Sequence, residues 1–209
     1  MTEHIEFGPA PGSLDIAFDD RVLRPREWTA AQSAWAADLM ATTPGGTVLE
    51  LCAGAGHIGL LAVAANGRRL VCVDASPVAC DYARVNAVAN GLAERVEVRE
   101  SRLEEALADD ERFPVVIADP PWVPREQTTR YPQDPLTAID GGDDGLDVAR
   151  ACLEVIDRHL APGGSAVLQV GTRAQTDLLR EEPCVAEGRL AMVEVRQHVR
   201  GVLARIDRA

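Results

Sequence analysis

From Thr47 onward the chain alternates short apolar runs with stretches whose apolar positions recur every three or four residues, each bounded by Gly, Pro, Asn or Asp. Short apolar runs alternating with stretches of helical periodicity are the signature of a doubly wound parallel sheet. The pattern predicts strands at about 47–52, 69–74, 95–100, 114–119, 164–170, 190–197 and 200–207, and helices at about 57–65, 77–89, 102–108, 144–160 and 174–181. Ser76-Pro77 is an N-cap followed by proline at the first helical position, and Asn66-Gly67 and Asn90-Gly91 are helix stops. The last two strands are joined too tightly for a parallel crossover, so they form an antiparallel hairpin. The expected fold is α/β: a doubly wound, mostly parallel seven-stranded sheet with a C-terminal antiparallel hairpin.

Residues 1–27 are rich in Gly and Pro, with one alternating run, Leu14-Asp15-Ile16-Ala17-Phe18, and then Val22-Leu23 before Arg24-Pro25-Arg26. A lid or small hairpin at 1–28 is expected, ahead of one main domain at 29–209. Thr29 and Gln32 have capping-box spacing, and Ala31, Trp35 and Leu39 fall at four-residue steps, which predicts a helix at about 29–42. The long irregular stretch at about 120–143 is of a length that compact domains reserve for function.

Composition narrows the function. With 209 residues, 46% of them apolar, the chain fills one globular core. A formal net charge of −12 disfavours a sequence-blind nucleic-acid footprint, although Arg21, Arg24 and Arg26 could form a local basic patch. Without a long apolar run or a basic leader, the expectation is a cytoplasmic protein with no membrane partner. Cysteines 52, 72, 80, 152 and 184 include no Cys-x-x-Cys pair, so neither a disulfide framework nor a metal site is indicated.

Val48-Leu49-Glu50-Leu51-Cys52-Ala53-Gly54-Ala55-Gly56-His57-Ile58-Gly59 is a strand, a glycine turn and a helix start. It matches G-x-G-x-x-G, with Asp74-Ala75 at the end of the next strand, where Asp74 could bind ribose hydroxyls. This is a Rossmann-like cofactor end, lined by Cys52, Gly54, Gly56, Asp74 and Ala75. Glu50 selects among cofactors. A carboxylate inside an apolar strand needs a partner, and a cationic amino acid moiety is one, whereas a pyrophosphate is not. S-adenosyl-L-methionine carries such a moiety. His57 is expected to line or cap the site.

Asp119-Pro120-Pro121-Trp122 follows the apolar run Val115-Val116-Ile117-Ala118. Two prolines fix two φ angles near roughly −65° and remove two N–H donors, which leaves the Asp119 carboxylate and the Pro120 carbonyl as acceptors without local partners. Such a corner accepts both hydrogens of a planar –NH2 group, on which Trp122 can stack. Together the two ends point to methyl transfer onto an amide or amino nitrogen, with Asp119 facing both cofactor and acceptor and no metal required.

In these residues the chain resembles class I methyltransferases, and within them the HemK family of protein-(glutamine-N5) methyltransferases that modify peptide release factors. That family carries Asn-Pro-Pro-Tyr, matched here by Asp119-Pro120-Pro121-Trp122 and followed by Val123-Pro124. Further matches are Gly141-Gly142-Asp143-Asp144-Gly145-Leu146-Asp147, Pro162-Gly163-Gly164, and Gly171 with Gln175. The resemblance implies S-adenosyl-L-methionine as cofactor and a protein substrate, the glutamine loop of a release factor among the candidates, with a small activating subunit as a further candidate partner. Asp119 in place of Asn, and Trp122 in place of Tyr, also resemble adenine-N6 and guanine-N2 methyltransferases, so nucleic-acid or small-molecule acceptors and a non-catalytic partner subunit remain as alternatives. The resemblance covers roughly residues 22–207, and no counterpart of the family's helical N-terminal domain is expected within residues 1–28. Arg102 stands where an acidic residue often contacts the cofactor's adenine, a contact then expected from backbone or from Glu100.

Overall fold

The computed structural model describes all 209 residues. Seven strands form one sheet: β3 (Val48–Leu51), β4 (Leu70–Asp74), β5 (Val96–Glu100), β6 (Phe113–Ala118), β7 (Leu160–Val170), β8 (Leu190–Gln197) and β9 (Val202–Arg208). Their order is β5-β4-β3-β6-β7-β9-β8, parallel except where β9 runs against both β7 and β8. Two further strands, β1 (Glu3–Phe7) and β2 (Leu14–Phe18), make a separate antiparallel hairpin. The expected seven-stranded sheet and its closing hairpin are both present.

Period-two alternation builds the two faces of the sheet. Val48, Cys72, Val115, Ile117 and Val167 point into a core shared with α1 (Ala30–Met40), α2 (His57–Ala64), α3 (Pro77–Ala89) and the N-terminal hairpin. Leu49, Leu51, Val71, Val73, Val116 and Ala118 point the other way, against α5 (Asp147–His159) and against Leu179 and Cys184 of α6 (Arg173–Arg180) and α7 (Pro183–Ala186). The central strands are therefore sandwiched between the two helical layers, while the edge strands β5 and β8 remain partly open to solvent.

The hairpin is tied to α3 rather than free. Asn86 accepts from the Ala17 N–H at 2.8 Å and donates to the carbonyls of Ala17 and Ala55, while Asn90 makes the same two-way pairing with Asp15. One side chain thus ties the hairpin to the glycine turn of the cofactor end.

Three expectations need correction. The helix at about 102–108 is only a single 3-10 turn, Leu103–Glu105, because side chains take the backbone groups that a helix would pair. Arg99 donates to the Ala106 carbonyl, and Glu111 accepts the Ala108 N–H. Thr29 and Gln32 form no capping box. The Thr29 hydroxyl donates back to the Arg26 carbonyl, and Gln32 turns into the sheet. The capping box of this chain is Thr172 with Gln175, at the start of α6. Finally, the stretch at 120–143 is closed on itself: it holds a 3-10 run, Arg125–Arg130, and α4 (Leu136–Ile139), and its ends pair where the Gly141 N–H donates to the Val123 carbonyl at 2.9 Å.

Candidate functional site

Strands β3 and β6 are neighbours in parallel register, Leu51 opposite Ala118, so Cys52 and Asp119 leave the sheet side by side. The chain turns away from β3 toward β4 on one side and β6 on the other, and ligands of open α/β sheets bind at such a switch point. Two adjoining cavities of about 500 Å³ each open there. Leu23, His57, Asp119, Pro121 and Ala138 line both.

The first cavity is the predicted cofactor end. Cys52, Gly54, Asp74 and Ala75 line it, with Val22, Leu23, Ile58 and Leu103 as apolar walls. Cys52, Gly54 and Gly56 all have positive φ, of 57°, 53° and 77°, a conformation costly for the non-glycine Cys52. A Cβ on Gly54 would meet nothing within 4 Å, so the turn leaves room for a ligand, whereas at Gly56 it would press on Ala83 Cβ at 3.1 Å. Asp74 braces this turn, accepting the N–H groups of Gly54 and Ser76, each at 2.8 Å. Burial raises its pKa, against the opposing pull of those backbone donors. Apolar walls, an open glycine turn and a carboxylate at the rim fit a nucleoside bearing a diol. Ser101 and Leu103 line this end, whereas Arg102 is turned out to Glu104 and Glu100 does not line the cavity, so neither of those side chains replaces the expected adenine contact.

Glu50 lies elsewhere than the sequence suggests. It is 2% exposed, lines neither cavity, and finds its partners inside the protein: the Gly59 N–H at 2.9 Å and the Cys72 thiol at 3.3 Å. A Cβ on Gly59 would collide with its carboxylate, which is why the third glycine of the motif is required. Burial pushes the Glu50 carboxyl up to about 7 despite these two donors. Glu50 supports the turn from behind.

The second cavity surrounds the Pro-Pro corner, with Asp119, Pro120, Pro121 and Trp122 all on its wall. Three glutamine side chains fix this corner. Gln32 donates to the Ala118 carbonyl at 2.9 Å, Gln169 to Asp119 Oδ1 at 2.6 Å, and Gln175 to the Trp122 carbonyl at 3.0 Å. Gln175 also accepts from the N–H groups of Gly171 and Thr172, and so joins the corner to the end of β7. The glycines of the downstream motif serve the same packing: a Cβ on Gly145 would run into the Trp122 carbonyl, and one on Gly171 into the Trp122 ring at 2.5 Å. Burial pushes Asp119 up to about 7, opposed by the Gln169 hydrogen bond, and pushes His57 down to about 3, which keeps it neutral.

Sequence reasoning did not single out Gln32 or Gln169 as site residues, and reached Gln175 only through resemblance. Gln169 had a signal of the same kind as Glu50, a polar residue inside the apolar run Val167-Leu168-Gln169-Val170.

The sheet order, the glycine turn and the strand-end Asp-Pro-Pro-Trp corner define a class I, Rossmann-like methyltransferase fold. Residues 31–137 match the model of the methyltransferase small domain, and the chain belongs to that family. A release factor glutamine methyltransferase of Gloeobacter violaceus is 34% identical over 163 residues, which cover 75% of this chain and 57% of that protein. A ribosomal protein uL3 glutamine methyltransferase of Bradyrhizobium diazoefficiens is 36% identical over 129 residues, 59% of this chain and 40% of that one. The chain thus spans only about half the length of these relatives. Among solved structures, an RNA methyltransferase from Salinibacter ruber in complex with S-adenosyl-L-homocysteine superposes with a TM-score of 0.57. The match is 20% identical and covers 88% of this chain and 92% of that one, and it shows a shared fold. No helix is long and apolar enough to cross a membrane.

Proposed function

We propose that this chain is an S-adenosyl-L-methionine-dependent N-methyltransferase whose acceptor is the side-chain amide of a protein glutamine. The observation that carries this reading is the position of Asp119, the one carboxylate that lines both cavities. Cys52, Gly54, Asp74 and Ala75 would hold the cofactor in the first cavity, where it would supply an electrophilic methyl group on sulfur, while Gly56, which does not line the cavity, packs the turn against Ala83.

An amide nitrogen is a poor nucleophile, so orientation is the main task of the protein. Asp119 and the Pro120 carbonyl accept its two N–H bonds and aim the nitrogen toward the first cavity. Trp122 covers the planar group and stabilises positive charge on nitrogen as the new bond forms. The nitrogen then carries one proton too many, which an N-protonated amide gives up readily to water, so the work of Asp119 is to orient the acceptor.

The glutamine relatives support a protein acceptor, with a release factor loop as the first candidate. A release-factor fragment bearing its Gly-Gly-Gln tip should gain one methyl group on the glutamine side chain, detected by mass spectrometry of the peptide. Label entering only nucleic acid or only small molecules would overturn the acceptor while leaving the methyltransferase class in place. One observation favours the nucleic-acid alternative: Arg130 and Arg200 line the acceptor cavity and have no carboxylate partner.

A further inference from the structure

Gln169 sits near the C-terminal end of β7, one residue beyond the register pair Ala118–Leu168, and therefore beside Asp119. It is 2% exposed and lines the acceptor cavity. An ionised carboxylate has no hydrogen to give, so in the 2.6 Å contact Gln169 Nε2 is the donor and Asp119 Oδ1 the acceptor. That assignment also fixes the other end of each group. The buried side-chain nitrogen and oxygen atoms without a partner are Gln32 Oε1, His57 Nδ1 and His198 Nε2. Asp119 Oδ2 and Gln169 Oε1 have no protein partner either, yet they are not among these buried atoms. Both oxygens are therefore open to the cavity.

We propose that Gln169 is the positioning residue of the acceptor site: its amide nitrogen pins one oxygen of Asp119, which turns the other oxygen to the acceptor, and its own oxygen faces the same cavity. The inference rests on the N-methyltransferase reading and extends it, because the corner becomes a carboxylate–amide unit built from two strands. Rotation of an unpinned carboxylate would spread its open oxygen over several directions, and misplacement by about 1 Å can cost on the order of a hundredfold in rate. No cationic side chain contacts Asp119. The ionisable groups around the pair are Glu50 on β3 and Cys52 just beyond it, neutral His57 from α2, Arg24 and Arg26 with the latter's partner Asp134, Arg130 and Tyr131 from the chain after β6, and Arg200 from the β8–β9 turn.

A carboxylate and an amide can exchange places and keep one donor between them. In the double variant Asp119→Asn/Gln169→Glu, the introduced amide nitrogen donates to the introduced carboxylate, and the amide oxygen faces the cavity. Gln169→Glu alone puts two carboxylates within hydrogen-bond distance, where they must share one proton. That variant reproduces the pinned geometry only while the shared proton is present, so its rate falls as pH rises, whereas the wild-type rate rises as Asp119 ionises.

The test has two arms on the full chain. In the first, the Asp119 carboxyl is titrated by ¹³C NMR, its signal identified by its loss in Asp119→Asn. Gln169→Leu should move the midpoint upward, because the only donor to that carboxylate is gone. In the second, the rate of methylation of the release-factor fragment is followed against pH, with S-adenosylhomocysteine affinity measured by calorimetry as a control. Gln169→Leu should lower kcat at least about tenfold with that affinity within twofold of wild type. Gln169→Glu should show the inverted pH profile, and the double variant should recover at least tenfold over Gln169→Glu at pH 8. A wild-type midpoint in Gln169→Leu, or a double variant no better than Gln169→Glu, overturns the proposal. If the wild-type protein does not methylate the fragment, the glutamine reading fails by itself and the titration still decides the role of Gln169.

Discussion

Replacing Glu50 by Gln tests whether the cofactor turn rests on a buried acid that resists ionisation. The folded-state pKa is about 7 against a reference value of 4.5. Between those values the native protein binds a proton that the unfolded chain has lost, so stability falls as pH rises and stops falling above about 7. At about 1.4 kcal/mol per pKa unit, the penalty from this group between pH 5 and pH 8 amounts to about 2.5 kcal/mol. Asp119 acts in the same direction, so the informative quantity is the difference between Glu50→Gln and wild type, in which Asp119 cancels. Gln keeps an oxygen for the Gly59 N–H and cannot ionise. Urea unfolding of both proteins at pH 5 and pH 8 should show the variant gaining about 2.5 kcal/mol on wild type between the two conditions, with equal m-values. A difference that stays constant across pH would refute the argument, since it would mean that folding does not perturb the ionisation of Glu50.

Other outcomes follow from the site. Asp119→Asn should keep substantial activity if Gln169 turns its amide over to meet it, while Asp119→Ala should cost on the order of a hundredfold with S-adenosylhomocysteine affinity preserved, both read in single-turnover assays; wild-type rates in both would show that Asp119 does not hold the acceptor, and an Asn variant as slow as Ala would make the carboxylate a proton acceptor instead. The wild-type kcat/KM should rise with pH through about 7, because a protonated Asp119 turns an O–H toward the acceptor where an oxygen lone pair is needed. Asp74→Ala should weaken S-adenosylhomocysteine binding by about 1–3 kcal/mol in calorimetry, and unchanged affinity would remove Asp74 from the cofactor site. Gly171→Ala should displace the Trp122 ring and lower kcat with little effect on cofactor affinity, measured by the same two assays.

Much of this architecture is legible in the sequence because it depends on local rules. The apolar runs, Ser76-Pro77 and the Asn-Gly stops specify strands and helices by patterning and capping. The glycine turn and the Pro-Pro corner are visible for the same reason, since each constrains its own backbone. What is not legible is how distant side chains satisfy backbone groups. Nothing near Gln32 reveals that it will donate to carbonyls on β6 and β7, 86 and 135 residues away. The same blindness explains the helix expected at 102–108, where Arg99 and Glu111 take the backbone groups from outside the segment. Glu50 shows a subtler limit: the sequence marks a carboxylate that needs a partner, but its neighbour across the sheet, Cys72, and the Gly59 N–H supply one within the protein.

The closed excursion between Val123 and Gly141 has an evolutionary consequence. Its two ends are stitched together by main-chain hydrogen bonds, which leaves the sheet independent of most side chains in between, Asp134 paired with Arg26 and buried Ile139 being exceptions. The first cavity draws mainly on residues around the ends of β3 and β4, while the second draws on the chain after β6, on residues 23–29 and on the β8–β9 turn. On the function proposed above, donor and acceptor would thus be served by largely separate stretches of the chain, so that a lineage could keep one and vary the other, with Asp119, which lines both cavities, as the hinge between them.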